Sequence, residues 1–213
     1  ERTALVVIDM QNDFCAPEGM VGLAGGNYAA DRAPIDPLNR LTPVLRAHGV
    51  PIVWVNWGTR PDLANMAPNQ VHLFKPTGSG LGLGDPLPGS GAPILQHGSW
   101  AAAIVDDLEV GEGDLHVSKH RISGFWDTPL DSILRNLDVR TVLFAGVNID
   151  QCVLCTLTDA NFLGYGCVML EDCCATSSPQ FCTDATIWNV RKCFGFVTDS
   201  AEVVRGLNAL AAC

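Results

Sequence analysis

Positive charge is scarce in this chain of 213 residues: 13 Lys and Arg stand against 23 Asp and Glu, a formal net charge of −10. A surface of that sign repels phosphate backbones and anionic headgroups, which excludes nucleic acid and membrane surfaces as partners held by charge. Long apolar runs are missing too. The longest, such as Leu5–Ile8 and Thr141–Val147, fall far short of the roughly 20 residues that cross a bilayer. Charged residues make up 17% of the chain against 47% hydrophobic, so the composition gives no case for disorder and supplies ample material for a core. At this length one α/β domain over residues 1–213 is expected.

The signatures of several enzyme classes are absent as well. No G-x-G-x-x-G joins a strand to a helix; the alternating glycines of Gly78–Gly84 lead into Asp85-Pro86, which cannot open a helix that would cradle a pyrophosphate. There is no phosphate-binding G-x-x-x-x-G-K-[ST], no G-x-S-x-G elbow and no H-E-x-x-H. Cys152 and Cys155 form a C-x-x-C, yet no second pair accompanies them as a zinc site requires, and they lie past two-thirds of the chain, unlike a thioredoxin motif. A redox or binding module built on that pair is the reading from a different class. His116 and His120 read as the polar end of a strand. No metal and no cofactor is expected.

Cysteine itself is plentiful. Nine is an odd number, and most lie inside apolar runs (Cys167, Cys173, Cys174, Cys193) instead of punctuating loops, which points to reduced thiols and a cytoplasmic setting.

Short apolar runs alternate with longer amphipathic segments, the pattern of a parallel sheet. Strands are expected at Thr3–Asp9, Ile52–Asn56, Leu115–Lys119, Thr141–Gly146, Cys167–Leu170 and Cys193–Val197. Helices are expected at Pro37–His48, from a Thr128 cap and Pro129 to Leu137, and at Cys152–Leu163, Pro179–Val190 and Ser200–Leu210. The order gives a doubly wound α/β architecture. Residues 57–100 break the rhythm, with eight Gly and six Pro and no sustained period. Their aromatic and polar side chains suit a substrate lid, the alternative being an oligomer contact.

In open parallel sheets, ligands bind beyond the carboxyl ends of the strands. Asp9 ends the first strand, Lys119 the third, and Cys152 opens the helix after Thr141–Gly146, so a carboxylate, an ammonium and a thiol converge at one edge. Such a set can perform nucleophilic acyl transfer: the helix N-terminus and Lys119 favour a thiolate, and Asp9 can take the thiol proton and return it to a departing amine.

The text around these residues carries a family pattern. Val6–Phe14 (VVIDMQNDF), Lys119 after a strand and Ala145–Val153 (AGVNIDQCV) resemble the isochorismatase-like cysteine hydrolases over essentially the whole chain. Within that family, His97–Trp100, Arg121–Arg135 and Phe194–Val197 look like ureidoacrylate amidohydrolase, whereas Gly58–Leu63 and Leu170–Cys174 look like biuret hydrolase; triuret hydrolases lie in the same neighbourhood. Ile122 stands where the ureidoacrylate enzymes carry a tyrosine. The resemblance implies a six-stranded parallel sheet with helices on both faces, a homo-oligomer (dimer or tetramer), and catalytic Asp9, Lys119 and Cys152. It also implies a cis peptide at Val147–Asn148 that aims the Asn148 N–H, with that of Cys152, at an oxyanion. The metal-binding Asp and His set of the nicotinamidases is not found. The implied substrate is a small acyclic ureide of the triuret or biuret type, or else ureidoacrylate or an N-carbamoyl amino acid. Phe14, Asn56, Trp57, Arg60, Trp100, Ser123 and Phe125 are the expected pocket residues, aromatic walls with a few polar groups suited to a planar urea.

Overall fold

A computed structural model describes residues 2–211, with side chains through 209. Strand β1 (Thr3–Ile8) is followed by three short helices, α1 (Asn12–Cys15), α2 (Met20–Leu23) and α3 (Tyr28–Asp31), then by α4 (Ile35–Ala47), β2 (Ile52–Trp57) and α5 (Pro68–Phe74). Next come β3 (Leu115–Lys119), α6 (Leu130–Asn136) and β4 (Thr141–Val147). A π-helical turn (Ile149–Val153) then runs into α7 (Leu154–Phe162). The chain ends with β5 (Gly166–Ala175), α8 (Gln180–Asn189), a second π-helical turn (Val190–Phe194), β6 (Phe196–Thr198) and α9 (Ser200–Ala211). All pairings are parallel, in the order β3-β2-β1-β4-β5-β6.

The run Thr3–Ile8 has no polar alternation because both faces of β1 are covered. Leu5 and Val7 pack with Leu38, Leu41 and Leu45 of α4, while Ala4, Val6 and Ile8 pack with Phe144, Leu157 and Met169 on the opposite side. The chain winds outward from β1 in one direction and from β4 in the other, so the crevice at their carboxyl ends is the topological switch point. Gly146 makes the close approach there possible. Its φ is +110°, and a Cβ would lie 2.0 Å from the Ile8 carbonyl oxygen.

Several boundaries differ from the sequence reading. The last strand is Phe196–Thr198 and not Cys193–Val197, because α8 continues as a π-helical turn through Phe194. Helix α4 starts at Ile35, two residues before Pro37. Pro129 is the cap residue of α6 and Thr128 precedes it, its hydroxyl accepting from the Leu130 N–H at 3.2 Å. Strand β5 runs on to Ala175, with a register irregularity opposite Phe144 and Gly146. Residues 57–100 are less featureless than their composition suggests: they hold α5, and buried Asp13 straps them down by accepting from Leu95 N at 2.7 Å while its other oxygen accepts from Met20 N.

Asp31 is a second buried carboxylate. Neither of its oxygens has a full hydrogen bond, and burial, reinforced by the charge of Asp150 and partly offset by Ser177, pushes the carboxyl up to about 7. At pH values below the ordinary carboxylate range the group is protonated folded or unfolded and costs nothing. As pH rises towards 7 the unfolded chain releases its proton first, so folding stability falls, and above about 7 the full penalty stands. Asp31→Asn should therefore stabilise the fold at pH 8 by on the order of 2–4 kcal/mol and barely at pH 4. Denaturant unfolding at the two pH values measures this; a gain that did not grow with pH would contradict it.

Candidate active site

Strand ends at the switch point position the reactive groups. Asp9 follows β1 in a left-handed conformation (φ 54°), its N–H bonded to the Val55 carbonyl, which turns the carboxylate into the crevice. One oxygen accepts from the Trp57 N–H at 3.1 Å; the other lies 2.9 Å from Lys119 Nζ. The Lys119 ammonium also donates to the Arg121 carbonyl at 3.1 Å and to Cys152 Sγ at 3.4 Å. The ammonium thus donates two hydrogen bonds beside its ion pair with Asp9, whose Oδ2 accepts no hydrogen bond, and the Trp57 ring stacks on the same nitrogen, 4.1 Å from centroid to Nζ. Asp9, Lys119 and Cys152 are 1%, 0% and 4% exposed.

Burial sets the electrostatics. It raises the Asp9 carboxyl above its ordinary value against the pull of Lys119, and pushes the Cys152 thiol up to about 12, with Lys119 and a Trp57 hydrogen bond opposing. Desolvation outweighs the ammonium and the helix terminus, so the proton stays on sulfur in the resting site, and the raised carboxylate beside it is a stronger base than a solvated one.

Cys152 lies in the π-helical turn. The Asn148 carbonyl accepts from Gln151 N at 3.0 Å and Val153 N at 3.1 Å, bypassing the Cys152 N–H. The Val147–Asn148 peptide is cis.

Of the expected pocket residues, Trp57 joins this group directly; Phe14, Ser123 and Phe125 are buried, Phe14 in the core cluster that holds Trp57. Phe125 packs in the core that contains Cys152, with its ring 6.1 Å from that of Tyr165, and Ser123 accepts from the Phe125 N–H. Asn56 does not join them. It pairs with Ser118 in the β2–β3 register while Trp57 pairs with Lys119, so strand alternation turns it to the opposite face. There it lines a cavity of about 310 Å³ with Trp54, His97, His116 and Ser118, which Trp57 also borders. Arg60 is an exposed residue forked onto Asp62, and the Trp100 side chain is exposed.

Two residues passed over in the sequence hold the site together. The Gln11 amide accepts from Trp57 N at 2.9 Å and donates to the carbonyls of Trp57 and Ala102, fixing the strand end beneath the indole. Thr156 donates to the Cys152 carbonyl at 2.6 Å and accepts from Gly124 N at 2.9 Å, tying the Cys152 turn to the loop after Lys119. A Thr four residues after the cysteine was the available signal, since mid-helix Thr commonly bonds back one turn. Cys155, one turn on, is a free thiol that burial also pushes up. Neither half of the C-x-x-C therefore has the depressed thiol of a redox pair. No cluster of three or more His, Cys, Asp or Glu side chains that could hold a metal occurs among the described residues, and no described helix is long and apolar enough to cross a membrane.

Comparison with known proteins places this geometry. Ureidoacrylate amidohydrolase RutB of Klebsiella pneumoniae is 34% identical over 212 residues, 99% of this chain and 89% of the relative; that of Klebsiella variicola is 35% identical over 209 residues, 98% and 88%. Among solved structures, a cysteine hydrolase from Pseudomonas syringae superposes with a TM-score of 0.83 at 24% identity, over 98% of this chain and 93% of that one. N-carbamoylsarcosine amidase from Thermoplasma acidophilum superposes with a TM-score of 0.69 at 26% identity, over 94% and 97%. The isochorismatase domain model matches residues 3–202, and the chain belongs to the isochorismatase family of hydrolases.

Proposed function

We propose that this hydrolase is a cysteine-dependent amidohydrolase that cleaves a C–N bond of a small acyclic ureide. The observation that carries the reading is the buried contact set in which one ammonium touches both a carboxylate oxygen at 2.9 Å and a cysteine sulfur at 3.4 Å. Asp9 takes the proton of Cys152 as Sγ bonds to the ureido carbonyl carbon, and the carbonyl oxygen becomes an anion held by the Asn148 and Cys152 N–H groups. Collapse breaks the C–N bond, and the departing nitrogen receives the proton from Asp9 and leaves as ammonia or an amine. A water then gives its proton to Asp9 and attacks the thioester-type intermediate; carbamate or the corresponding acid leaves, and the sulfur recovers its proton. Lys119 favours the ionised carboxylate between these proton transfers and keeps it aimed. Trp57, Phe14, Ser123 and Phe125 wall the substrate, and residues 57–100, which place Phe74 edge-on against Trp57, cover it as a lid.

A neutral ureide of the triuret or biuret type is favoured over an anionic one because the cations around the crevice are already engaged. Arg121 pairs with Asp127 and Lys119 with Asp9. Ureidoacrylate is the second reading, supported by the 34% identity to enzymes of that name. Ammonia release on triuret, biuret, ureidoacrylate, an N-carbamoyl amino acid and nicotinamide separates them. Turnover of triuret or biuret above the others supports the neutral ureide; preference for ureidoacrylate replaces it; silence on every ureide overturns both.

The raised Asp9 carboxyl gives a pH signature. Asp9 must be ionised to accept the thiol proton, so kcat/KM should rise with pH through a limb above the ordinary carboxylate range. It should then stay level through pH 9, because the thiol does not ionise on its own until about 12. A rate that kept climbing between pH 7 and 9 would indicate a thiolate formed in solution equilibrium, against this mechanism.

A further inference from the structure

We infer that Asp31 is a substrate-recognition residue of this site, its carboxylate accepting two N–H groups from the end of a neutral ureide remote from the carbonyl under attack. This role rests on the ureide reading above and says how such a substrate is selected. Asp31 is fully buried, and neither of its carboxylate oxygens has a hydrogen-bond partner in the protein. Buried polar groups are nearly always paired, so an orphan of this kind is kept at a cost to folding. The adjoining cation does not relieve it. Arg32 turns away, donating to the Cys15 carbonyl at 2.9 Å and pairing with Asp107 at 2.9 Å.

The place of Asp31 in the fold points to what would satisfy it. On one side the Cys15 thiol donates to the Asp31 carbonyl at 3.4 Å, which ties α3 to α1, the helix that follows Asp9 and carries Phe14. On the other, the carboxyl group faces the charge of Asp150 and the hydroxyl of Ser177. Asp150 belongs to the π-helical turn that holds Cys152, and the Ser177 N–H donates to Asn148 Oδ1 at 3.3 Å. Asp31 is thus bracketed by the segments that follow β1 and β4, the two strands at the switch point. It stands on the β5 side of Cys152, while Lys119 and Trp57 stand on the β2–β3 side. Asp150 already has a donor, the Thr176 hydroxyl at 2.7 Å, which leaves Asp31 as the acceptor in need of one.

A ureide end supplies that donor pair. In an –NH–CO–NH₂ group, one N–H on each nitrogen points away from the carbonyl, and the two lie parallel, as a carboxylate accepts donors side by side. A substrate ending in a carboxylate would instead bring two like charges together. The orphan that burdens the fold therefore favours one substrate end over the other.

Steady-state ammonia release at pH 8, where Asp31 is ionised, tests this with wild type and Asp31→Asn. The substrates are biuret, ureidoacrylate and N,N-dimethylbiuret, whose remote nitrogen carries no N–H. Denaturant unfolding should show the variant to be the more stable protein, so that weakened binding cannot be a weakened fold. In wild type, dimethylation should raise KM by about tenfold or more. Asp31→Asn should raise KM for biuret by about as much, make dimethylation nearly neutral and narrow the preference for biuret over ureidoacrylate by about tenfold. A wild type indifferent to dimethylation overturns the inference whatever the variant does. Equal KM for biuret in the two proteins, an equal dimethyl penalty in both, or a wild type that prefers ureidoacrylate also overturns it and leaves the amidohydrolase standing. Silence of wild type on every ureide overturns the ureide reading itself and takes this role with it.

Discussion

Cys152→Ala is expected to abolish ammonia release, a loss on the order of 10⁴-fold or more, while leaving the thermal unfolding transition close to wild type. In the proposed mechanism the sulfur is the group that bonds to the carbonyl carbon, and nothing beside it can substitute. Asp9 is engaged by the Trp57 N–H and by its ion pair with Lys119, which also donates to the Arg121 carbonyl and to the sulfur itself. Serine should not rescue the activity, because its hydroxyl holds its proton more tightly than the thiol that burial has already pushed up to about 12. Residues that act as a unit lose activity together, so adding Asp9→Asn to Cys152→Ala should cost almost nothing more. Retained turnover in the alanine variant would remove Cys152 from the chemistry.

Lys119→Ala is expected to be as damaging to turnover and, unlike loss of the thiol, to weaken the fold by about 3–5 kcal/mol. The side chain is fully buried, and its removal strands the Asp9 carboxylate without its counter-charge. At neutral pH Asp9 would then take up a proton, relieving part of the penalty but ending its service as a base. The destabilisation should therefore be smaller at pH 4 than at pH 8. Replacing both partners, as Asp9→Asn with Lys119→Met, removes both charges and should recover most of the stability but none of the activity. Denaturant unfolding and ammonia release on the three proteins separate the two consequences. Wild-type-like turnover in Lys119→Ala would take Lys119 out of the site.

The reactive residues were legible because a parallel sheet brings its strand ends to one side. Once Thr3–Asp9, Leu115–Lys119 and Thr141–Gly146 were read as strands, Asp9, Lys119 and the cysteine after the fourth strand had to approach one another. Asn56 shows the limit of that logic. It is adjacent to Trp57 in sequence, but side chains alternate across a strand, and a shift of one residue in the assumed end of β2 sends it to the other face. The neighbours that favour a thiolate at Cys152 are visible in sequence, but the depth of burial that opposes them is not. Gln11 was missed for a similar reason: it acts through backbone groups 46 and 91 positions away, which leave no local pattern, whereas Thr156 shows its bond back to Cys152 in the spacing but not its bond to Gly124, 32 positions away. The strand at Cys193–Val197 failed because apolar and aromatic residues such as Cys193 and Phe194 serve equally well to extend a helix by a π-helical turn.

Covalent capture by Cys152 is the step on which the account depends. Mixing enzyme with its best ureide, quenching in acid during turnover and weighing the protein by mass spectrometry tests it directly. The account expects a carbamoyl-type adduct that maps to the Cys152 peptide, disappears as substrate is exhausted and is absent from Cys152→Ala. A wild-type enzyme that turns over with no adduct on Cys152, under quenching fast enough to catch a single turnover, would contradict it.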